Sequence, residues 1–379
     1  MDAVDLDRLR RLAAAAGLQH LGCTSAEPFE STRETLLERR AAGLNGSMEF
    51  TYRNPQRSTD PQATLPGARS IIVGARSYHR DLPAVPEGVG PVARAGRYVW
   101  ADDQARLLAG LDAVASELKS LGHRACVVSD QNHLVDRAAA HRGGLGWFGK
   151  NANLLLPSAG SWFLLGSVIT DAEVTDPARP SGSPPVADGC GTCTRCIDSC
   201  PTGAIVAPGV VDARLCLSWT LQTTGTFPRD QRIAVADRIY GCDDCQEVCP
   251  PNRLEIRRVG PGGHASAVEV GDPDRAWAPV LRMLDADDDQ LMAAHGNWYI
   301  PERNPRYLRR NALVVLANVG DGSDKGVRRA LQHYLAHGDP LLRAHAVWSA
   351  RRLGCDDLLV IVRDDTDTDV QFELTAEMP

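Results

Sequence analysis

Eight of the eleven cysteines fall in a pattern that binds iron. They form the run Cys190-x2-Cys193-x2-Cys196-x3-Cys200-Pro201, a lone Cys216, and the run Cys242-x2-Cys245-x3-Cys249-Pro250. A 4Fe–4S cube takes one thiolate per iron. Three closely spaced thiolates hold three irons, the fourth ligand comes from elsewhere in the chain, and the proline after the last cysteine turns the backbone away. In a two-cluster arrangement the last cysteine of each run crosses to the other cube. This spacing assigns Cys190, Cys193, Cys196 and Cys249 to one cluster. Cys242, Cys245, Cys200 and Cys216 hold the other, with Cys216 standing in for the missing first cysteine of the second run. Cys-x2-Cys pairs also bind zinc, but zinc does not account for three-cysteine runs that end in Cys-Pro. The chemistry is one-electron transfer, and the rest of the chain must supply an acceptor.

The segments around the cysteines alternate between helix and strand signals. Leu6, Leu9 and Leu12 predict an amphipathic helix over 5–16, and Leu107, Leu108, Leu111, Val114 and Leu118 predict another over 103–121. Short apolar runs at 70–73 and 125–128 and an alternating run at 161–170 read as strands. A helix over 134–142 ends at Gly143-Gly144. The fold class is α+β: an α/β domain over 1–185, a ferredoxin-type double-cluster domain over 186–255, and a linker with helical repeats over 256–379. Residues 176–189, rich in Pro, Ser and Gly, read as a connection, and so do the Gly-rich residues 256–275. At the C-terminus the block beginning Leu308-Arg309-Arg310-Asn311-Ala312 realigns, 34 residues later, with Leu342-Arg343-Ala344-His345-Ala346. That is the pattern of a HEAT-like helical repeat.

Composition narrows the function classes. No apolar run is long enough for a membrane span, and the first residues show no apolar signal core, so a cytoplasmic protein is expected. The net charge is −7, yet residues 300–354 carry ten Lys/Arg against four acids, a local +6. Such a face either binds a polyanion or is a solvated helix surface; the sequence leaves both open. Gly144-Leu145-Gly146-Trp147-Phe148-Gly149-Lys150 imitates a dinucleotide or phosphate loop, but a helix precedes it and Asn151 stands where a phosphate loop needs Ser or Thr.

Three stretches together resemble the epoxyqueuosine reductase family. The first is Met48-x-Phe50 with Arg53, Arg57, Asp60-Pro61 and Leu65-Pro66-Gly67-Ala68. The second is Asp130-x5-Asp136-Arg137, then Gly144 to Asn151 and Gly160-Ser161-Trp162-Phe163-Leu164-Leu165-Gly166. The third is Cys216-Leu217-Ser218-Trp219-Thr220-Leu221-Gln222 with Gly225, between the two cysteine runs. The resemblance covers nearly the whole chain in order; it departs at Asp102-Asp103-Gln104, where Asp-Tyr-His is expected.

The resemblance implies an oxidoreductase that completes queuosine synthesis. Electrons from an external low-potential donor pass through two 4Fe–4S clusters to cobalamin, and the epoxide of epoxyqueuosine at a tRNA wobble position becomes an alkene. Asp130 is implied as the acid that protonates the departing oxygen, with Asp136-Arg137 a structural pair. Arg57, Asp130, Gly149, Lys150, Leu154, Ser218 and Gln246 are implied around cobalamin; without an Asp-x-His-x-x-Gly motif, no histidine lower ligand is expected. Thr220, Gln222 and Gly225 are implied to face the modified base, and Arg309 and Arg310 are expected to bind the tRNA backbone. A monomer is expected. The alternatives are a cobalamin-dependent reductase of a small epoxide or organohalide, and a plain electron carrier. About 185 residues of ordered sequence ahead of the cysteines argue against the carrier.

Overall fold

The computed structural model describes residues 3–180, 183–253 and 270–378. The chain divides into two compact units, each assembled from three separate stretches: Met1–Arg80, Ala101–Arg214 and Asp244–Glu269 in the first, Asp81–Trp100, Leu215–Asp243 and Val270–Pro379 in the second.

The first unit is built on a four-stranded, wholly antiparallel sheet. Its strands are β1 (His20–Ser25), β2 (Ser70–Ser77), β3 (Ala125–Val128) and, after the short pair β4 (Trp147–Phe148) and β5 (Leu154–Leu155), β6 (Phe163–Thr170). The spatial order is β1-β2-β6-β3. Helices α1 (Leu6–Ala15) and α2 (Asp103–Ser120) cover one face. There Leu6, Leu9, Leu107, Leu111 and Leu118 pack with Ile72 and Val168. Helix α3 (Asp136–Arg142) covers the other face, where Ala138, Ala139 and Ala140 meet Ile71, Val73 and Ile169. Alternate strand residues therefore serve opposite helical layers, as a two-residue period requires. The helices and three strands read from the sequence lie where they were expected. Strand β1 was not read, because His20-Leu21-Gly22-Cys23-Thr24-Ser25 has neither a sustained apolar run nor a clean alternation.

Two single-turn helices, α4 (Arg195–Asp198) and α5 (Asp244–Glu247), carry the cysteine runs of this unit and pack on one another. In the second unit, Val92–Ala95 runs between Arg238–Tyr240, parallel to it, and Trp277–Pro279, antiparallel. Four helices follow: α6 (Arg306–Val319), α7 (Lys325–Leu335), α8 (Pro340–Arg352) and α9 (Thr368–Thr375). Helix α8 packs on α6, α7 and α9, and the two realigned sequence blocks fall on α6 and α8.

The linear boundaries expected at 185/186 and 255/256 differ from this division. Residues 81–100 leave the first domain because their strand pairs with segments 144 to 187 residues further on, and that pairing has no local signature. Much of the expected connection over 256–275 lies outside the described residues. No described helix is long and apolar enough to cross a membrane.

Candidate active site

Within the first unit the structure brings Cys249 to the first cysteine run. Burial chiefly pushes the Cys249 thiol up, to about 11. The Asn252 amide eases that shift, and Cys190, Cys196 and Cys193 add to it by charge repulsion. Cys196 is raised the same way, by burial and by Cys190 and Cys193. Thiols gathered this closely are the kind of donor set a 4Fe–4S cluster takes. Among the described residues no three His, Cys, Asp or Glu side chains converge on a single ion. The Ala204 amide donates to Cys200 Sγ at 3.2 Å, the kind of contact that tunes a cluster thiolate. Cys200 and Cys245 lie in the first unit, Cys216 and Cys242 in the second.

The second run is tied to the sheet domain by buried amides. Gln246 Nε2 donates to Tyr78 Oη (3.2 Å), Ser161 O (3.1 Å) and Ser161 Oγ (3.1 Å). Asn252 Nδ2 donates to Ser161 Oγ (3.0 Å) and Gln246 O (2.8 Å), and Asn252 Oδ1 accepts from the Ser161 amide (2.6 Å). Asn151 Nδ2 donates to Cys245 O (3.3 Å). Gln246 thus spends its amide within the protein, a role its sequence context did not signal. Ser161 and Asn252 are the partners that sequence reasoning missed.

The glycine-rich stretch shapes a hairpin. Strand β4 pairs antiparallel with β5; a Cβ on Gly146 would lie 2.0 Å from Leu155 O, and one on Gly149 would lie 2.2 Å from Leu155 Cδ1. Lys150 Nζ donates to Gly191 O at 2.8 Å, joining the hairpin to the first cysteine run. Leu154 is buried, and Arg57 stands exposed on the single turn Pro55–Ser58. In the same hairpin Trp147 Nε1 is closed off from solvent without a partner. Buried donors are nearly always satisfied, so this one suits a ligand rich in amide carbonyls, as the corrin rim is.

Asp130 sits two residues past the end of β3 with φ at +51°. Its side chain reaches solvent, yet the surrounding protein displaces enough water to raise its carboxyl above the usual carboxylate range. The residue before it is held by the departing motif. Gln104 Nε2 donates to Ser129 Oγ (3.0 Å), which donates to Leu165 O (3.1 Å). Asp102 caps α2 through the Ala105 amide, and buried Asp103 is paired with Arg80 and, at 3.4 Å, with Arg76. Gln104 is therefore a site-forming residue, for which the only sequence signal was the departure itself. Asp136 and Arg137 do not form the expected pair: Arg137 Nη1 donates instead to Ala152 O at 3.1 Å.

In the second unit, Arg310 corrects its expected role. Its side chain is fully buried, and burial holds the guanidinium down to about 9. Nη1 donates to Thr223 O and Gly225 O, both at 2.8 Å, and Asn311 Nδ2 donates to Leu221 O at 2.8 Å. Arg310 builds the loop over 220–225 and cannot meet a phosphate. Arg309 is spent on Asp288 and Ala286 O. Arg306 pairs with Asp339 (2.7 Å), Arg328 with Asp357, and Arg343 with Asp365 (2.6 Å). Arg351 and Arg352 are bonded internally as well. The local +6 is thus largely neutralised, chiefly by acids just outside the window in which it was counted. Lys325 and Arg329 alone in that window lack an ion pair or side-chain hydrogen bond among the described basic residues. In the loop itself, Thr220 is buried on Gln231 Oε1 (2.8 Å), and Gln222 Nε2 donates to Ser218 O (2.7 Å). Gly225 is exposed, with φ at +75° and nothing within 4 Å of where a Cβ would stand, so a flat ligand can approach its backbone closely.

Arg310→Met should leave the Thr223 and Gly225 carbonyls without their charged donor and lower stability by about 2–4 kcal/mol. The urea midpoint reads this; an unchanged midpoint would mean the loop holds itself.

Comparison with known proteins follows the same lines. The family described as 4Fe-4S double cluster binding domain matches residues 189–252. The epoxyqueuosine reductase of Bacillus cereus is 32% identical over 96% of this chain and 92% of its own length. A crystal structure of epoxyqueuosine reductase with an epoxyqueuosine-modified tRNA-Tyr stem loop superposes with a TM-score of 0.84 at 28% identity, covering 97% of this chain and 96% of that one. The Bacillus subtilis enzyme, in a structure whose aspartate-bearing catalytic loop is swung out of the active site, superposes with a TM-score of 0.83 at 28% identity, with coverage of 97% and 96%.

Proposed function

The chain belongs to the epoxyqueuosine reductase family, and we propose that it reduces the epoxide of epoxyqueuosine in tRNA to the alkene of queuosine, with Asp130 as the proton donor. The observation that carries the residue assignment is Asp130 itself: a carboxyl with a raised proton affinity, open to solvent at a strand end, in the same unit as six of the eight cysteines.

Cys190, Cys193, Cys196 and Cys249 would hold one 4Fe–4S cluster; on sequence spacing, Cys200, Cys216, Cys242 and Cys245 would hold the second. Arg57, Gly149, Lys150 and Leu154, with the unpartnered Trp147 Nε1, offer cobalamin a face of the first unit, where Gln246 is held through Ser161. When bound, the clusters supply electrons singly from an external low-potential donor and cobalamin delivers them to the epoxide.

The protein's own residues handle the proton and the placement. An alkoxide leaves poorly, so the carboxyl of Asp130 must keep its proton near neutral pH and give it to the oxygen as the C–O bond breaks. Partial loss of water raises its affinity in the direction this task needs. Gln104, through Ser129, holds the backbone that aims it. In the second unit, Arg310 keeps the 220–225 loop in shape, so that the bare backbone at Gly225 and the half-exposed Gln222 can receive the modified base. We read α6 to α9 as HEAT-type packing that supports this loop, with α7, which carries Lys325 and Arg329, the remaining candidate for backbone phosphates.

The test is anaerobic incubation of reconstituted protein, cobalamin and a low-potential reductant with an epoxyqueuosine-bearing stem loop, followed by nucleoside analysis. Queuosine is the expected product. An untouched epoxide beside turnover of a small epoxide or organohalide would move the substrate to the small-molecule class.

A further inference from the structure

Within the second unit, two arginines with no solvent exposure grip the segment that carries the 220–225 loop. Arg310, from α6, takes the Thr223 and Gly225 carbonyls. Arg232 ends the single turn Arg229–Arg232, which follows the loop, and its Nε donates to Phe227 O at 2.9 Å. Phe227 joins the two. It is fully buried, and the Arg310 guanidinium lies 5.5 Å from its ring centroid. The Phe227 amide donates to His345 Nε2 of α8 at 3.1 Å, so the ring proton sits on Nδ1, 2.7 Å from Leu341 O.

A buried cation needs a counter-charge, and for Arg232 it comes from the last helix. Glu373 of α9 is 2% exposed, and its Oε1 lies 2.8 Å from Arg232 Nη1. Its other oxygen takes Arg229, whose Nη2 also donates to Glu377 O at 2.6 Å. Asp369, one turn earlier on α9, accepts from Thr226 Oγ1 at 3.2 Å. At the other end of the loop, Thr220 Oγ1 donates to Gln231 Oε1 at 2.8 Å. The loop is therefore held at its start, its middle and its exit. The exit depends on a carboxylate 144 residues beyond Arg229.

We propose that the Glu373–Arg232 ion pair is a positioning element for the substrate: Glu373 holds Arg232 on Phe227 O, and so keeps the loop in the one shape that receives the modified base. The inference rests on the reading of 220–225 as the base-receiving loop. Glu373 does not touch the substrate; it acts through Arg232. Without its carboxylate, a guanidinium enclosed beside the Trp348 ring (5.3 Å to the centroid) swings towards water or draws water in. Either way Phe227 O loses its donor. The loop then spends part of its time in other shapes, and a ligand that needs the one shape binds more weakly in proportion.

Two measurements on the same full-length variants test this: hydrogen exchange over residues 220–228, and the Kd of an epoxyqueuosine stem loop. In Glu373→Gln the amides of Gln222, Thr223 and Phe227, each hydrogen-bonded in the parent, should lose most of their protection, while α6 keeps its own. The Kd should rise ~10-fold, as when about a tenth of the molecules hold the loop ready. At saturating stem loop kcat should stay near the parent's, since the bound loop is whole. Glu373→Asp, which keeps the charge on a shorter arm, should recover part of both. Arg232→Met combined with Glu373→Leu separates positioning from stability. Apolar groups in place of a buried ion pair leave stability near the parent's, so the urea midpoint should hold. Phe227 O still has no donor, so the loop should stay unprotected and the Kd weak. Parental protection and Kd in Glu373→Gln, or their return in the apolar double variant, overturns the proposal. If Glu373→Gln does not fold, the double variant decides. A wild-type protein whose loop is protected yet binds no stem loop would instead remove the base-receiving reading, and the exchange data would still show whether Glu373 orders the loop.

Discussion

Asp130→Asn is expected to cut epoxide reduction at least ~100-fold, the usual scale of a lost general acid, while iron content and cobalamin binding stay at parental levels. The substitution isolates the proton. Asparagine matches aspartate in size, and it is among the few residues that accept a positive φ readily, so the +51° turn at this position is not strained by the change. The bond from Gln104 to Ser129 does not involve the carboxyl. What is lost is a group that can carry a proton to an oxygen. The measurement is single-turnover conversion of an epoxyqueuosine stem loop at neutral pH, beside the absorption spectrum with cobalamin. Conversion within a few-fold of the parent would take Asp130 out of the mechanism.

Cys249→Ser should lower iron from about eight to about four per chain, one cube of the two, and abolish turnover, because electrons arrive singly and the relay is then broken. Cys249 is the test of the crossed ligand set: it lies more than 50 residues from Cys190, Cys193 and Cys196 in sequence and yet shares their pocket. Cys126→Ser is the control; Cys126 lies on β3, where its Sγ contacts the Val127 carbonyl, and should leave iron unchanged. Iron and labile sulfide measured anaerobically decide the matter. Retention of both cubes in Cys249→Ser would reassign the fourth ligand, and stoichiometric zinc without sulfide in the parent would replace the clusters altogether.

Much of the fold was legible because its signals are local. The leucine spacing of α1 and α2, the apolar run at 70–73 and the Gly143-Gly144 stop each report on residues within one or two turns of one another. Strand β1 escaped because its evidence is the partner it pairs with, residue by residue along β2. The division into two units escaped for the same reason.

The site divides along a related line. Sequence alone determined the ligand chemistry: Cys-x2-Cys-x2-Cys is short-range geometry, since one cube spans only a few residues of chain, and the Asp130 segment carried its family resemblance intact. Tertiary structure decided which side chains remain available. Arg309 and Arg310 look like a basic face in sequence, but their partners, Asp288 and the carbonyls of Thr223 and Gly225, lie 21 to 87 residues away. Gln246 was read as a cofactor contact, and Ser161 takes its amide. Asp136 was read as half of a neighbouring pair, and folding turns Arg137 to the Ala152 carbonyl instead. A side chain's type is written in the chain. Its charge state and its freedom to bind depend on water exclusion and on partners, and both are set by residues remote in sequence.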